Sequence, residues 1–276
     1  MSSFEDKVAV VTGAGSGIGR ALSCQLAERG ARLALSDAAP EGLEETVALA
    51  EAAGAEVFAE RVDVSDRDAV VKHAHAVRHR FGAVHQLYNN AGVAFVGPIS
   101  ETSYADLEHV MAVNYWGVVH ATKEFLPHLV DSGAGHVVAM SSVFGLLAAP
   151  WMAAYDASKF AVRGFAEALR AELLAARHPV RVTCVHPGAV RTPIIQHARS
   201  AEGEDMAAVQ RIFRKIAVTT PDGAARAILR GVRMNRARVL IGPDARLADV
   251  TSRLFGSQYE RVAGVTAKLF VPSNNK

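Results

Sequence analysis

Short runs of apolar and β-branched residues alternate with longer helix-patterned segments from residue 8 to residue 241, and this alternation constrains the fold more than any other feature of the chain. The runs 8–11, 32–36, 57–61, 84–88, 136–140, 180–185 and 238–241 read as strands. The segments 18–29, 41–53, 66–81, 104–129, 153–176 and 221–234 read as helices, three of them stopped by Gly30, Gly54 and Gly82. Strands separated by helices run parallel, joined by right-handed crossovers that cover both faces of the sheet. The expected fold class is therefore α/β, a doubly wound parallel sheet of about seven strands. No linker or shift of composition divides the chain, so residues 1–276 are expected to form one domain, with 243–276 as a C-terminal extension.

Composition narrows the function. Half of the residues are hydrophobic and 21% are charged, which supports a packed core and excludes disorder. The net charge is +2 and the charges are interspersed, which argues against nucleic acid as the main partner. Cys24 and Cys184 form no C-x-x-C pair and offer no metal framework; they read as small core residues in a reducing compartment. His73, His75 and His79 lack a third ligand at suitable spacing and read as a solvated helix face, so no metal is expected. Glu5 and Asp6 precede the first strand where a signal peptide would need a basic region, and no run of 18 apolar residues occurs. A soluble, cytoplasmic protein with no transmembrane segment is expected.

The first strand empties into Thr12-Gly13-Ala14-Gly15-Ser16-Gly17-Ile18-Gly19 and then a helix. Glycines let the backbone turn sharply beside a pyrophosphate, and the free N–H groups of the helix start, with its dipole, favour the anion. The spacing is T-G-x-x-x-G-x-G and not G-x-G-x-x-G. Asp37 ends the second strand about 20 residues on, where a carboxylate can bind both hydroxyls of an adenosine ribose. It would repel a 2′-phosphate, and Ala38 and Ala39 supply no cation, so NAD is favoured over NADP. The alternative for Asp37 is a cap on the helix beginning near Glu41.

Tyr155 and Lys159 are four apart in a helical segment and so share one face. Ser142 follows the strand 136–140 and emerges at the carboxyl edge of the sheet, where open parallel sheets bind ligands. Together with Asp63, Asn89-Asn90-Ala91-Gly92, Asn114 and Pro187-Gly188 with Thr192, these residues resemble the classical short-chain dehydrogenase/reductase family, over roughly residues 6–242.

The resemblance implies a Rossmann-type fold and an NAD-dependent oxidoreductase. Tyr155 would be the general acid/base, exchanging a proton with the substrate oxygen as hydride moves to or from nicotinamide. A free phenol titrates near pH 10, so work near neutral pH asks for a depression of about 3 units, about 4 kcal/mol. Lys159 would supply positive charge and bind the nicotinamide ribose. Ser142 would donate to the carbonyl or alkoxide oxygen, unless neighbouring Ser141 takes that part. Asn114 would hold a water near Lys159 through its backbone, or be an ordinary helix polar residue. Gly13, Ser16, Gly17, Ile18 and Gly19 would cradle the pyrophosphate, and Asp63 and Val64 would face the adenine. Asn90, Ala91 and Gly92 would line the cofactor, while Pro187, Gly188, Val190 and Thr192 would hold the nicotinamide carboxamide. A homodimer or homotetramer is implied, assembled through 104–129 and 153–176.

Apolar residues crowd the loops near Ser142 and Tyr155, and Phe95, Phe144, Leu146, Trp151 and Ile194 are the candidates for a substrate pocket. If they line it, the substrate is a hydrophobic alcohol or ketone; the alternative is packing or subunit contact. Residues 245–276 alternate Arg246, Arg253 and Arg261 with Leu247, Leu254, Phe255, Leu269 and Phe270, which reads as an amphipathic helix lying on a partner subunit or a membrane. Two other function classes compete: a catalytically silent NAD-binding redox sensor, and a methyltransferase using a similar glycine loop. The first leaves an intact Ser142, Tyr155 and Lys159 without purpose, and the second leaves Tyr155 and Lys159 unexplained.

Overall fold

Every residue of the first strand, β1 (Val8–Thr12), is buried, because Val8 and Val10 face one side of the sheet and Ala9 and Val11 the other. A strand covered on both faces carries no polar alternation, which is why it reads as a continuous apolar run. The computed structural model describes residues 4–260. After β1 the chain continues through α1 (Gly17–Ala27), β2 (Arg32–Asp37), α2 (Pro40–Ala52), β3 (Val57–Arg61), α3 (Arg67–Phe81) and β4 (Gln86–Asn89). A short β5 (Phe95–Val96) is followed by α4 (Tyr104–Met111), α5 (Gly117–Asp131), β6 (Gly135–Met140), α6 (Ala153–Ala175) and β7 (Val180–Pro187). Then come β8 (Arg199–Ser200), α7 (Met206–Ile216), α8 (Pro221–Arg233), β9 (Arg238–Ile241) and α9 (Pro243–Phe255).

Seven strands form one parallel sheet in the order β3-β2-β1-β4-β6-β7-β9, with β1 paired to both β2 and β4. This is the Rossmann-type doubly wound sheet. Leu22 and Leu26 of α1 and Ile228 of α8 pack on one face with Val11, Leu35 and Val185. On the other face Val77 of α3, Phe125 of α5 and Leu169 of α6 pack with Val10, Leu87 and Val182. Because the strand order reverses beside β1, the crossovers diverge there and leave a crevice at the carboxyl edge.

Three features differ from the sequence reading. The single helix expected over 104–129 is broken by a π-helical turn, Ala112–Trp116, where Asn114 turns inward. A second sheet, β5 with β8, and the helix α7 were not anticipated. His73 is buried instead of solvated: its Nδ1 lies 2.7 Å from Glu60 Oε2 and its ring stacks on Phe58, while His75 and His79 are exposed. Within 245–276, α9 accounts for the residues up to Phe255; Arg261, Leu269 and Phe270 lie outside the described residues. Among the described residues no helix is long and apolar enough to cross a membrane.

Candidate active site

Residues at the carboxyl ends of β1, β2, β4, β6 and β7 wall a cavity of about 470 Å³. At one end lies the glycine loop. Gly13 and Gly17 adopt positive φ, +65° and +53°, which side chains resist. Gly19 does not line the cavity; a Cβ there would stand 2.0 Å from the Gly13 carbonyl, so its bareness lets α1 seat against the loop. Helix α1 starts with no side-chain cap from Ser16 and no acidic residue in its first turn. Its free N–H groups therefore face the cavity beside Ser16, Gly17 and Ile18, an arrangement that fits an anionic pyrophosphate.

Hydrogen bonds across the sheet edge fix this loop. Asn90 Nδ2 donates to the Thr12 and Gly13 carbonyls at 3.0 and 2.9 Å, and Thr12 Oγ1 accepts from the Asn90 and Ala91 N–H groups. The Asn90 side chain thus braces the loop as well as lining the cavity with Ala91 and Gly92. Asp37 accepts from Gly15 N at 2.8 Å and from Ala39 N at 3.0 Å, so it ties the glycine loop to the end of β2. Sequence found no cation here, yet the register of β2 with β3 pairs Asp37 with Arg61, whose Nε donates to the Ala38 carbonyl. Asp63 and Val64 line the same end, the Asp63 carboxylate accepting from Ser65 N and Oγ.

The middle of the cavity carries Ser142, Tyr155 and Lys159. Tyr155 and Lys159 lie one turn apart on α6, with Lys159 Nζ 5.5 Å from the centre of the tyrosine ring and donating to the Met140 carbonyl. Ser141 Oγ is committed to the Lys159 carbonyl at 2.8 Å, whereas Ser142 Oγ accepts the Phe144 N–H and its hydroxyl interacts with the Tyr155 phenol. Burial pushes the Tyr155 phenol up to about 12; the Ser142 hydroxyl opposes the shift and Asp156 adds to it. Burial also brings the Lys159 ammonium down to about 8. Both shifts express the same cost of holding charge away from water. Asn114 lies behind this row, outside the cavity wall. Its side chain accepts from Val93 N at 2.8 Å and donates to Val93 O and Ser158 Oγ, which fixes the chain after β4 against α6.

Beyond β7, Pro187, Gly188, Val190 and Thr192 line the cavity in a turn that meets the glycine loop: a Cβ on Gly17 would lie 3.0 Å from Thr192 Cγ2. Around Tyr155 the wall is largely apolar, formed by Phe144, Met152, Ile194, Ile195, Phe213 and Ile216, with His109 and His197 also lining the cavity. Phe144 meets the Tyr155 ring edge-on at 6.4 Å. Of the five residues expected to line a substrate pocket, Phe144 and Ile194 line this cavity. Phe95, Leu146 and Trp151 do not. Phe95 is locked in the β5–β8 pair and packs on Val110 and Ala154, and Leu146 is buried behind a tight turn. Trp151 has φ +62° and its carbonyl accepts from Gly97 N, so it closes a loop.

Sequence reasoning missed Phe213 and Ile216, although Met206, Val209, Phe213 and Ile216 form a helical apolar stripe, and it missed Asp244, which carries no local signal. Asp156, next to Tyr155, was also overlooked. It is buried, accepts from Ala149 N at 2.7 Å, and is pushed up to about 7 by burial.

A family model described as short chain dehydrogenase matches residues 7–203. The oxidoreductase SadH of Mycobacterium tuberculosis is 53% identical over 272 residues, covering 98% of this chain and 99% of that protein. Estradiol 17-beta-dehydrogenase 11 of Macaca fascicularis is 36% identical over 202 residues, covering 73% of this chain and 67% of that protein. A crystal structure of a short chain dehydrogenase/reductase from Burkholderia phymatum in complex with NAD matches with a TM-score of 0.86 at 34% identity, covering 95% of this chain and 97% of that one.

Proposed function

This chain belongs to the short-chain dehydrogenase family, oxidoreductases on a nicotinamide-binding Rossmann fold, and we propose that it interconverts a hydrophobic secondary alcohol and its ketone with NAD. The observation that carries this reading is the order of groups along one cavity: an uncapped helix start, then Ser142, Tyr155 and Lys159, then an apolar wall. When bound, NAD supplies the hydride acceptor, or in its reduced form the donor, and a positive charge on the oxidised ring. Gly13, Ser16, Gly17 and Ile18 would hold its pyrophosphate, Asp37 the adenosine ribose, Asp63 and Val64 the adenine, and Val190 and Thr192 the carboxamide.

Within the chain, Tyr155 moves the proton. Its phenol lies at the junction of the polar and apolar ends, so an alcohol that buries its carbon skeleton against Phe144, Ile194 and Phe213 presents its hydroxyl there. Ser142 donates to that oxygen and holds it beside the phenol, an orientation worth several orders of magnitude in rate. The burial that raises the phenol acts against its use as a base near neutral pH. Positive charge must offset it, and Lys159 is the cation of the chain that lies against the ring. Tyr155 would thus be readied as a base by Lys159 together with the positive charge that a bound oxidised cofactor would supply.

The apolar wall and the likeness to an estradiol dehydrogenase support a hydrophobic substrate, and Asp37 supports NAD over NADP. Exposed Tyr104, Trp116, Phe160 and Leu174 support assembly of the single domain into a homodimer or homotetramer. Steady-state rates of NAD and NADP reduction with secondary alcohols of rising length, beside polyols and a hydroxy acid, test this reading. Each buried methylene should add up to about 0.8 kcal/mol, so kcat/KM should climb with chain length until the wall is covered. A flat response, or a preference for polar substrates or for NADP, would contradict it.

A further inference from the structure

Asp244 stands in the first turn of α9, beyond the residues 7–203 that match the family model. Its Oδ2 accepts a 2.6 Å hydrogen bond from Ala189 N, a partner 55 residues away in sequence. The carboxylate occupies a notch between two glycines. A Cβ on Gly188 would stand 2.1 Å from both of its oxygens, and one on Gly242 would stand 2.3 Å from Oδ1. No other residue type fits at either position while the carboxylate is there. Asp244 lines the cavity beside Gly188, Ala189, Val190 and Thr192, and its Oδ1 is buried with no hydrogen-bond partner. That oxygen is wedged against Gly188 and Gly242, so what the carboxylate does is hold the turn in place.

We propose that Asp244 is a cofactor-positioning residue, whose carboxylate fixes the 187–192 turn from α9 and so holds Val190 and Thr192 where they would meet the nicotinamide carboxamide. This rests on the dinucleotide reading of the cavity. The Ala189 bond sets the turn that carries Val190 and Thr192, and Gly188 is further held by its N–H to the Ile241 carbonyl at the end of β9. The turn is therefore anchored to β9 and α9, so the C-terminal helix contributes to a cofactor site whose other assigned residues lie between Gly13 and Thr192.

Calorimetric titration of the full-length protein with NAD and with ADP-ribose, which lacks the nicotinamide, tests the proposal. Asp244→Ala should weaken NAD binding about tenfold, the scale of one lost charge-assisted hydrogen bond, and leave ADP-ribose within about twofold. Asp244→Asn, whose amide oxygen still accepts from Ala189, should stay within about threefold of wild type for NAD. Asp249→Ala removes the ion pairs of α9 with Arg238 and Arg253 without touching the turn, and should leave NAD affinity intact. Equal losses of NAD and ADP-ribose affinity in Asp244→Ala, or the same loss in Asp249→Ala, would overturn the proposal. If Asp244→Ala does not fold, Asp244→Ser makes the same comparison. A wild type that binds neither ligand would overturn the dinucleotide reading, and the proposal with it.

Discussion

At the glycine-loop end of the cavity the walls are backbone, stapled by Asn90, Thr12 and Asp37 across the sheet edge, whereas at the far end they are side chains borne on α7 and the turn 193–195. The first end has little freedom: its hydrogen bonds cross between β1, β2 and β4, all buried strands. The second is lightly anchored, since Ala208 alone among the residues of α7 is fully buried and Ile216 is 53% exposed. A wall of backbone fixes what can bind, because its groups are held by the buried strands they terminate. A wall of apolar side chains on a weakly held helix is free to vary, and under the proposed function selectivity among substrates would reside there. Tyr155 stands at the boundary, flanked by Lys159 on one side and Phe144 on the other.

Breaking the rigid end should have the largest effect. Gly19→Ala forces a Cβ to within 2.0 Å of the Gly13 carbonyl, so either α1 or the loop must move. Displacing the loop should weaken NAD binding by at least about 1000-fold, roughly 4 kcal/mol, read by calorimetry. Retained affinity would show that the loop is less fixed than its hydrogen bonds imply.

A smaller effect tests the loop between β6 and α6, which carries Phe144 and Met152 to the apolar wall. Asp156 holds this loop through Ala149 N, and its Oδ1 is buried and unpaired. Burial raises its carboxyl from 3.8 to about 7 in the folded state. A group whose folded pKa is raised contributes its full stability below the unfolded pKa and loses it as pH climbs through the folded one. Between pH 4 and 7 the wild type is therefore progressively penalised by up to about 4 kcal/mol. Asp156→Asn escapes the charge but buries an amide that is partly unpaired, at about 1–3 kcal/mol, leaving a gain of about 2 kcal/mol above pH 7. Chemical denaturation at pH 5 and pH 8 should show the gain at pH 8 and little at pH 5. The same gain at both pH values would refute ionisation as its cause.

Asp156 and Asp244 mark how far sequence reaches. The seven strands and the glycine loop were readable because each depends on local pattern, and Tyr155 with Lys159 on spacing within one helix, whereas Ser142 was joined to them through the family resemblance. Asp156 and Asp244 were not, since their partners Ala149 and Ala189 are brought to them by folding and leave no trace in neighbouring residues. The break in the helix expected over 104–129 escaped for the same reason: the Asn114 side chain bonds to Val93 and Ser158, 21 and 44 residues away. The β5–β8 pair that removes Phe95 from the pocket depends on strands of two residues each, too short to carry a periodicity. The apolar stripe of α7 was present in the sequence, but nothing local says that it faces a cavity.

The central claim is that Tyr155 is the proton-transferring group and takes little part in holding NAD. Measuring turnover of a hydrophobic secondary alcohol by NADH absorbance for Tyr155→Phe, with NAD affinity of the same variant by calorimetry, tests it most directly. Turnover should fall by at least about 100-fold, the scale of general acid/base loss, while NAD affinity stays within about twofold of wild type. Near-full turnover in the variant, or a fall in turnover matched by an equal fall in NAD affinity, would contradict the account.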